Sequence, residues 1–150
     1  MSKYVQKSYM LLALFFMFGL ISQAVLADDK PFAEKKIVLQ ISDADPSKQE
    51  LILNVANNII KEYGQDKVAI EIIAFGPGLR LLFADNSNKG RIQALDTAGV
   101  AFSACSNTKK NMSKKLGREI ELNPIAKSDS PGIVRIAKLV TEEGYILVKP

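Results

Sequence analysis

The sequence predicts a three-layer α/β/α sandwich with a mostly parallel sheet of five strands. Two observations favour this fold. Short β-branched runs alternate with amphipathic helical segments through brief connections, which is the pattern of parallel strands joined by crossover helices. One of these runs, residues 68–75, is almost continuously apolar. A central parallel strand that is covered on both faces has this character.

The first predicted strand covers residues 37–41, and a turn follows it. Asp45 is suited to cap a helix because its carboxylate can accept backbone N–H groups, and Pro46 fits the first helical position. We therefore expect a helix that begins at Pro46 and ends at Gly64. Its predicted buried face contains Leu51, Ile52, Val55, Ala56, Ile59 and Tyr63.

The second and third strands are predicted at residues 68–75 and 100–105. The second strand ends abruptly at Gly76-Pro77-Gly78, because glycine and proline there favour a turn. A less regular, leucine-rich segment follows. Apolar residues at helical spacing then predict a short helix over residues 88–98, which leads into the third strand.

Two helices are predicted in the last third of the chain. The first runs from residue 106 or 107 to Leu116, with Met112 and Leu116 on its inner side. The second begins after Ser130-Pro131 and ends at Gly144. Its predicted inner face comprises Ile133, Val134, Ala137 and Val140.

Two further strands complete the predicted sheet. Residues 121–126 predict a short fourth strand, which Pro124 weakens because proline lacks the N–H that a ladder needs. Residues 145–148 predict the last strand. All five strands fall within residues 36–150, which we assign to one α/β domain. Residues 28–35 form a polar extension before it.

The N-terminal segment has the pattern of a secretory leader. Lys3 and Lys7 precede an apolar run over residues 11–21, and Val25-Leu26-Ala27 carries small residues at the spacing of a cleavage site. We therefore predict a signal peptide over residues 1–27, with cleavage after Ala27. The expected location is periplasmic or secreted.

An uncleaved membrane anchor is the alternative, because residues 10–27 are close to the length that spans a bilayer. If the leader is cleaved, the protein contacts the membrane only through the leader, before cleavage. The mature chain would then have 123 residues, enough for one domain with a real core. Loss of the leader lysines lowers the net charge from +4 to +2. So small an excess predicts no nucleic-acid partner.

The chain has one cysteine and no histidine. The absence of histidine excludes Ser-His-Asp and Cys-His nucleophile pairs and the usual histidine-based zinc sites. The glycines at 76 and 78 lack the spacing of a dinucleotide-binding or Walker motif. We therefore expect neither a metal nor an organic cofactor. A single cysteine cannot form an intramolecular disulfide, so the fold depends on its hydrophobic core.

Cys105 is the principal candidate for chemistry. It ends the third predicted strand and stands at the start of a helix, where unpaired N–H groups and the helix dipole favour negative charge. A thiolate at this position could be stabilised, which is the condition for a reactive cysteine. A free cysteine is also commonly a small buried hydrophobe, and both interpretations stay open on this evidence.

The carboxyl ends of the first three strands are expected along one edge of the sheet, where such folds bind ligands. The residues there that could bind a substrate are Asp43, Gly76, Gly78, Asn107 and Thr108. Each also has a simpler interpretation: helix capping explains Asn107 and Thr108, and a turn explains the two glycines. Asp43 has no identifiable partner for acid-base chemistry.

A basic stripe follows Cys105. Its members are Lys109, Lys110, Lys114, Lys115 and Arg118. A solvated helix face is the default interpretation of such a stripe. An anionic substrate or partner that approaches the thiol would nevertheless meet a favourable field.

Residues 36–150 resemble the DsrE/DsrF-like sulfur-relay family, in particular its small exported members. The resemblance covers nearly the whole predicted domain. It depends on the order and spacing of four motifs: Ser42-Asp43-Ala44-Asp45-Pro46, Ala74-Phe75-Gly76-Pro77-Gly78, Gly99-Val100 leading to Ala104-Cys105-Ser106-Asn107-Thr108, and Gly144-Tyr145 through Lys149-Pro150.

The resemblance implies a flavodoxin-like sheet, assembly into trimers or hexamers, and a cysteine after the third strand that bears a persulfide. Cys105 matches that position. The implied partners are a small sulfur-containing molecule or the thiol of a partner protein. The leader departs from the cytoplasmic relay members and would place the thiol in an oxidising compartment. A non-catalytic oligomeric module that binds a small ligand, with a structural Cys105, is the alternative.

Overall fold

The computed structural model of the chain describes residue 30 and residues 32–150. The predicted leader and its cleavage site lie outside these residues. Within them, four parallel strands form one sheet in the order β3-β2-β1-β4. The elements in chain order are β1 (Lys35–Ile41), α1 (Pro46–Tyr63), β2 (Val68–Ala74), a 3₁₀ helix (Gly76–Leu82), α2 (Lys89–Thr97), β3 (Val100–Ala104), α3 (Ser106–Leu116), α4 (Gly132–Thr141) and β4 (Ile146–Val148).

Strand β2 is the most completely covered element of the sheet. It pairs with β1 on one side and with β3 on the other, and all seven of its residues are buried. The register places Ile72 opposite Leu39 of β1 and Phe102 of β3. The prediction of a central parallel strand from its continuous apolar run is therefore confirmed.

Helices cover both faces of the sheet, which confirms the three-layer α/β/α sandwich. Alternate strand residues point to opposite faces, so each strand supplies two sets of side chains. Leu39, Ile72 and Phe102 pack with α1, the 3₁₀ helix and α2 in the larger core. Val38 and Ile73 pack with α4 in a smaller core on the other face.

Four strands are present in the described residues, so the prediction of five was wrong. The difference is at residues 121–126, which contribute only an isolated antiparallel bridge between Phe83 and Leu122. Pro124 lacks an N–H, and the Asn123 side chain accepts the N–H of Ile125 at 3.1 Å. The Ala126 N–H closes a turn onto the Asn123 carbonyl. Turn hydrogen bonds thus replace a strand ladder here.

The inner face of α4 differs from the predicted one. Ile133 and Val134 are 66% and 55% exposed, and Val140 and Ala137 are exposed as well. The face that meets the sheet contains Gly132, Arg135, Ile136 and Leu139 instead. Because Arg135 forms an ion pair with the buried Glu71, a charged side chain lies on the inner face.

Smaller corrections affect two other helices. Leu51 and Tyr63 of α1 are each 44% exposed, and the buried face is formed by Ile52, Leu53 and Ala56. In α3, Leu116 is exposed, whereas Met112 packs against the larger core. Asp45 caps α1 as predicted, since its carboxylate accepts the Ser47 N–H at 2.8 Å. In the described part of the chain, no helix has the length and apolar character needed to cross a membrane.

Candidate functional site

Cys105 lies at the carboxyl end of β3 and is the N-cap residue of α3. Its backbone N–H continues the sheet pairing by donating to the Ala74 carbonyl of β2 at 2.9 Å. The residue is 7% exposed. The strand fixes its backbone, and the turn into α3 brings its side chain to the first N–H groups of that helix, which have no partner within the helix.

Two helix N-termini meet at the Cys105 sulfur. The backbone N–H groups of Asn107 and Thr108 in α3 and of Gly132 in α4 stabilise negative charge on it, although the Cys105 side chain forms no capping hydrogen bond of ordinary geometry in α3. A Cβ at position 132 would lie 3.2 Å from the Cys105 Cβ and 3.3 Å from the Phe75 ring. The absence of a side chain at Gly132 therefore lets α4 approach the thiol closely.

The environment of Cys105 favours the thiolate. Burial is the largest single influence and opposes ionisation, but the three backbone N–H groups and the Thr108 hydroxyl outweigh it. Together they lower the pKa of Cys105 below that of an ordinary thiol. A thiolate is the nucleophilic form of cysteine, so this position is chemically competent for attack on an electrophilic sulfur.

The Thr108 hydroxyl links the thiol to the turn after β2. Its oxygen accepts the Gly76 N–H at 3.0 Å, and its own hydrogen can then be donated to the sulfur. The structure thus brings together three of the predicted site residues: Cys105, Thr108 and Gly76. Asn107 joins them through its backbone N–H, and its side chain is exposed.

Replacement of Thr108 by valine, which removes the hydroxyl but keeps the shape, is expected to raise the Cys105 pKa, because it removes one of the groups that lower this pKa. The pH dependence of alkylation measures this pKa. Thr108→Ser retains the hydroxyl and is the matched control, so a valine variant that titrates like the serine variant would contradict the assigned hydrogen bond.

Gly78 is buried beneath the end of β1 rather than at the thiol. A Cβ there would lie 2.6 Å from the Ile41 carbonyl oxygen and 2.9 Å from the Ser42 Cα. This close backbone packing is sufficient to require glycine at position 78. The nearest neighbours of position 78 are Ile41 and Ser42 and not Cys105. A role of Gly78 in substrate binding stays a prediction.

Asp43 lies in a different crevice of the same sheet edge. Its carboxylate forms an ion pair with Lys48 at 2.6 Å and also accepts the Asp45 N–H. The hydrogen bond from Lys48 is the main reason that the pKa of Asp43 is lowered. The crevice has a volume of about 70 Å³ and is also lined by Lys149 and Pro150. Asp43 is thus engaged with Lys48 and not with the thiol.

Gly132 is a site residue that the sequence-based reasoning missed. Its position after Ser130-Pro131 indicated only the start of a helix. The pairing that brings this helix to Cys105 is a tertiary contact, and the Ser106 N–H also donates to the Ser130 carbonyl at 3.1 Å. No group of three His, Cys, Asp or Glu side chains placed to hold a metal ion is found among the described residues.

The fold is similar to that of two solved structures. A protein of unknown function, MTH1491 from Methanobacterium thermoautotrophicum, matches with a TM-score of 0.70 and 27% identity, over 78% of this chain and 100% of that chain. The ychN protein from E. coli matches with a TM-score of 0.59 and 12% identity, over 77% of this chain and 99% of that chain. The chain therefore has the flavodoxin-like fold of the DsrE-like proteins. No family model and no curated protein sequence matches it.

Proposed function

We propose that this protein is a periplasmic sulfur carrier that forms a persulfide on Cys105. One observation carries the proposal: the first turns of α3 and α4 meet at the only cysteine of the chain, which is the N-cap residue of α3 and lies against Gly132 of α4. They lower the pKa of a thiol that burial alone would keep neutral. The DsrE-like fold and the position of Cys105 after the third strand support the same assignment.

The chemistry needs only thiol exchange. The Cys105 thiolate attacks the outer sulfur of a donor that contains a sulfur–sulfur bond. A new bond forms between the Cys105 sulfur and that outer sulfur, while the donor bond breaks and the remaining donor sulfur leaves with the bonding electrons. An acceptor thiolate then attacks the terminal sulfur and releases Cys105 as a thiolate. Each step conserves the oxidation state overall, so no external oxidant or reductant is required.

The converging N–H groups would act at both stages. They stabilise the attacking thiolate before transfer and the departing Cys105 thiolate after it, because both carry their charge on the same sulfur. A lower pKa of the leaving thiol also speeds its departure. The same geometry therefore favours loading and unloading, as a carrier requires.

Location and assembly are parts of the same proposal. The leader pattern over residues 1–27 supports export. A homo-oligomer, a trimer or hexamer by the resemblance, is supported by the large apolar side chains that one chain leaves exposed. They include Ile133 and Val134 of α4 and Ile146 and Leu147 of β4. The donor or acceptor of the transferred sulfur would be a small sulfur-containing molecule or the thiol of a partner protein.

The competing function is a small-ligand-binding module in which Cys105 is structural. The observation in its favour is the burial of the residue, which leaves 7% exposed. A buried thiol packed between two helices and the sheet can fill space without reacting. The two functions differ in whether sulfur becomes attached to this residue.

Intact-mass analysis after exposure to polysulfide distinguishes these functions. The wild-type protein is expected to gain one sulfur atom that a thiol reductant removes, whereas Cys105→Ser should gain none. Because serine is nearly isosteric with cysteine, thermal melting of the variant can show that the fold is retained. A wild-type protein without an adduct, or the same adduct on Cys105→Ser, would contradict the carrier function.

A further inference from the structure

A polar cleft lies along α3, between this helix and the segment that follows it. Its volume is about 420 Å³, and its lining residues are Ser106, Lys109, Lys110, Ser113, Glu119 and Ser128. The four residues from α3 have the spacing of a single helical face. Ser106, which lines the cleft, directly follows Cys105 in the chain.

The cleft is positively charged. Lys109 pairs with Glu119 at 2.7 Å, but the Glu119 side chain is 73% exposed and belongs to the rim. Lys110 has no ion-pair partner within residues 32–150. The whole of α3 contains four lysines and no acidic residue. An anion in the cleft would therefore be attracted by charge that this helix does not neutralise itself.

Ser128 supplies an observation that is independent of the lysines. Its hydroxyl oxygen is shielded from solvent, and it has no hydrogen-bond partner in the part of the chain that the structure describes. A shielded hydroxyl without a partner is unfavourable. Because Ser128 lines the cleft, rotation of its side chain about the Cα–Cβ bond would let the hydroxyl donate to an acceptor atom bound there.

The remaining hydroxyls of the cleft can donate as well. Ser113 accepts the Ile120 N–H at 3.1 Å, which leaves its own hydrogen available. Together with Ser106, Ser128 and the two lysines, the cleft offers five donor groups. This number suits the three or four oxygens of a tetrahedral oxyanion better than the two oxygens of a carboxylate.

We propose that this cleft binds a small tetrahedral oxyanion, with Lys110 and Ser128 as its main ligands, and that it holds the anionic head of the sulfur donor beside Cys105. The inference rests on the proposed function for the identity of the ligand as a donor, and it names the chemical class of that donor. A thiolate and an anionic donor repel each other unless nearby cations offset their charges, and the lysines supply such cations.

Thiosulfate is a probe of the required class. Its outer sulfur would bond to the Cys105 sulfur as the sulfur–sulfur bond of thiosulfate breaks. Sulfite would leave with the bonding electron pair, and the persulfide would keep the charge of the thiolate. Atoms and charge balance without another reactant.

Competitive alkylation tests the site without sulfur transfer. We expect sulfate to slow alkylation of wild-type Cys105 by iodoacetate more than chloride does at equal ionic strength, with a smaller effect on the neutral iodoacetamide. Lys110→Ala should lower the ratio of the iodoacetate rate to the iodoacetamide rate by about threefold. Lys114→Ala removes the same charge from the same helix outside the cleft and should leave the ratio unchanged.

A second readout does not need a reactive thiol. Sulfate binding should raise the wild-type melting temperature above that in chloride of equal ionic strength, because a ligand that binds the native state stabilises it. Ser128→Ala keeps every charge and should reduce this increase. The non-specific effect of sulfate on protein stability is common to both proteins, so their difference reports the site.

The proposal is wrong if Lys110→Ala and Lys114→Ala lower the alkylation ratio equally, since a diffuse field would then explain it. It is also wrong if sulfate raises the melting temperature of Ser128→Ala as much as that of wild type. Sulfate protection with no sulfur adduct on Cys105 would support the oxyanion site and overturn the carrier function, so the two failures are distinguishable.

Discussion

Gly78→Ala is expected to destabilise the protein by about 3 kcal/mol, because its new methyl group would overpack a site bounded by backbone. The Cβ would lie 2.6 Å from the Ile41 carbonyl oxygen, 2.7 Å from the Ile41 carbonyl carbon and 2.9 Å from the Ser42 Cα. None of these atoms can move without displacing the end of β1 from the sheet. Equilibrium denaturation by urea measures the loss as a fall in the unfolding midpoint.

Gly90→Ala is the matched control. Gly90 lies in α2, and apart from the backbone of its own helix and its chain neighbours no atom is within 4 Å of the Cβ that alanine would place there. This variant should be neutral or up to about 1 kcal/mol more stable, because alanine favours the helix over glycine. Equal midpoints for the two variants would contradict the packing of the 3₁₀ helix against β1.

Glu71→Gln is expected to cost about 3 kcal/mol of folding stability. Glu71 is 4% exposed in the centre of β2, and its carboxylate accepts hydrogen bonds from Arg135 Nε and Nη2 and from the Ser103 hydroxyl. Breaking a buried pair leaves an uncompensated charge, which costs roughly 3 to 5 kcal/mol. The partial exposure of Arg135 places the expected loss at the lower end. Urea denaturation measures it.

Glu143→Gln provides the comparison at the same arginine. Glu143 accepts from Arg135 at 2.9 Å, but a third of its side chain is exposed. Solvent weakens such a pair, so the variant should lose about 1 kcal/mol or less. If both glutamine variants lost the same free energy, burial of Glu71 would not be the cause. The pair matters for the site because it attaches α4, and hence the Gly132 N–H, to the sheet.

The parallel sheet could be predicted because its signals are local. The apolar run of β2, the Asp45-Pro46 start of α1 and the glycines that end helices are each readable within a few residues. A short run of residues such as 121–126 is compatible with both a strand and a turn. In the structure, the Asn123 side chain accepts a backbone N–H and so competes with the strand ladder, which the sequence alone does not show.

The orientation of α4 shows why helix faces were harder to assign. Apolar residues occur on several sides of this helix, so the sequence pattern alone does not select the buried one. In the structure, Glu71 from the neighbouring strand neutralises Arg135, so the charged residue faces inward and Ile133 faces outward. A single sequence does not show that two charges 64 residues apart are partners.

Part of the candidate site could be placed from the sequence, and part could not. The three strand ends placed Cys105, Thr108 and Gly76 at one edge, and the structure joins them through the Thr108 hydroxyl. Gly132 was not predictable, because its contribution requires the first turn of α4 to reach the end of β3 across the fold. Asp43 followed the first strand as expected, yet Lys48 holds it in a separate crevice.

The lowered pKa of the Cys105 thiol, which lies between two helix N-termini, is measured most directly by alkylation. The rate of alkylation of the wild-type protein by iodoacetamide is followed by intact mass as a function of pH. We expect a titration midpoint below that of the same cysteine measured in the urea-unfolded protein. A midpoint at or above that value would show that burial of the thiol outweighs its hydrogen bonds and would contradict the claim.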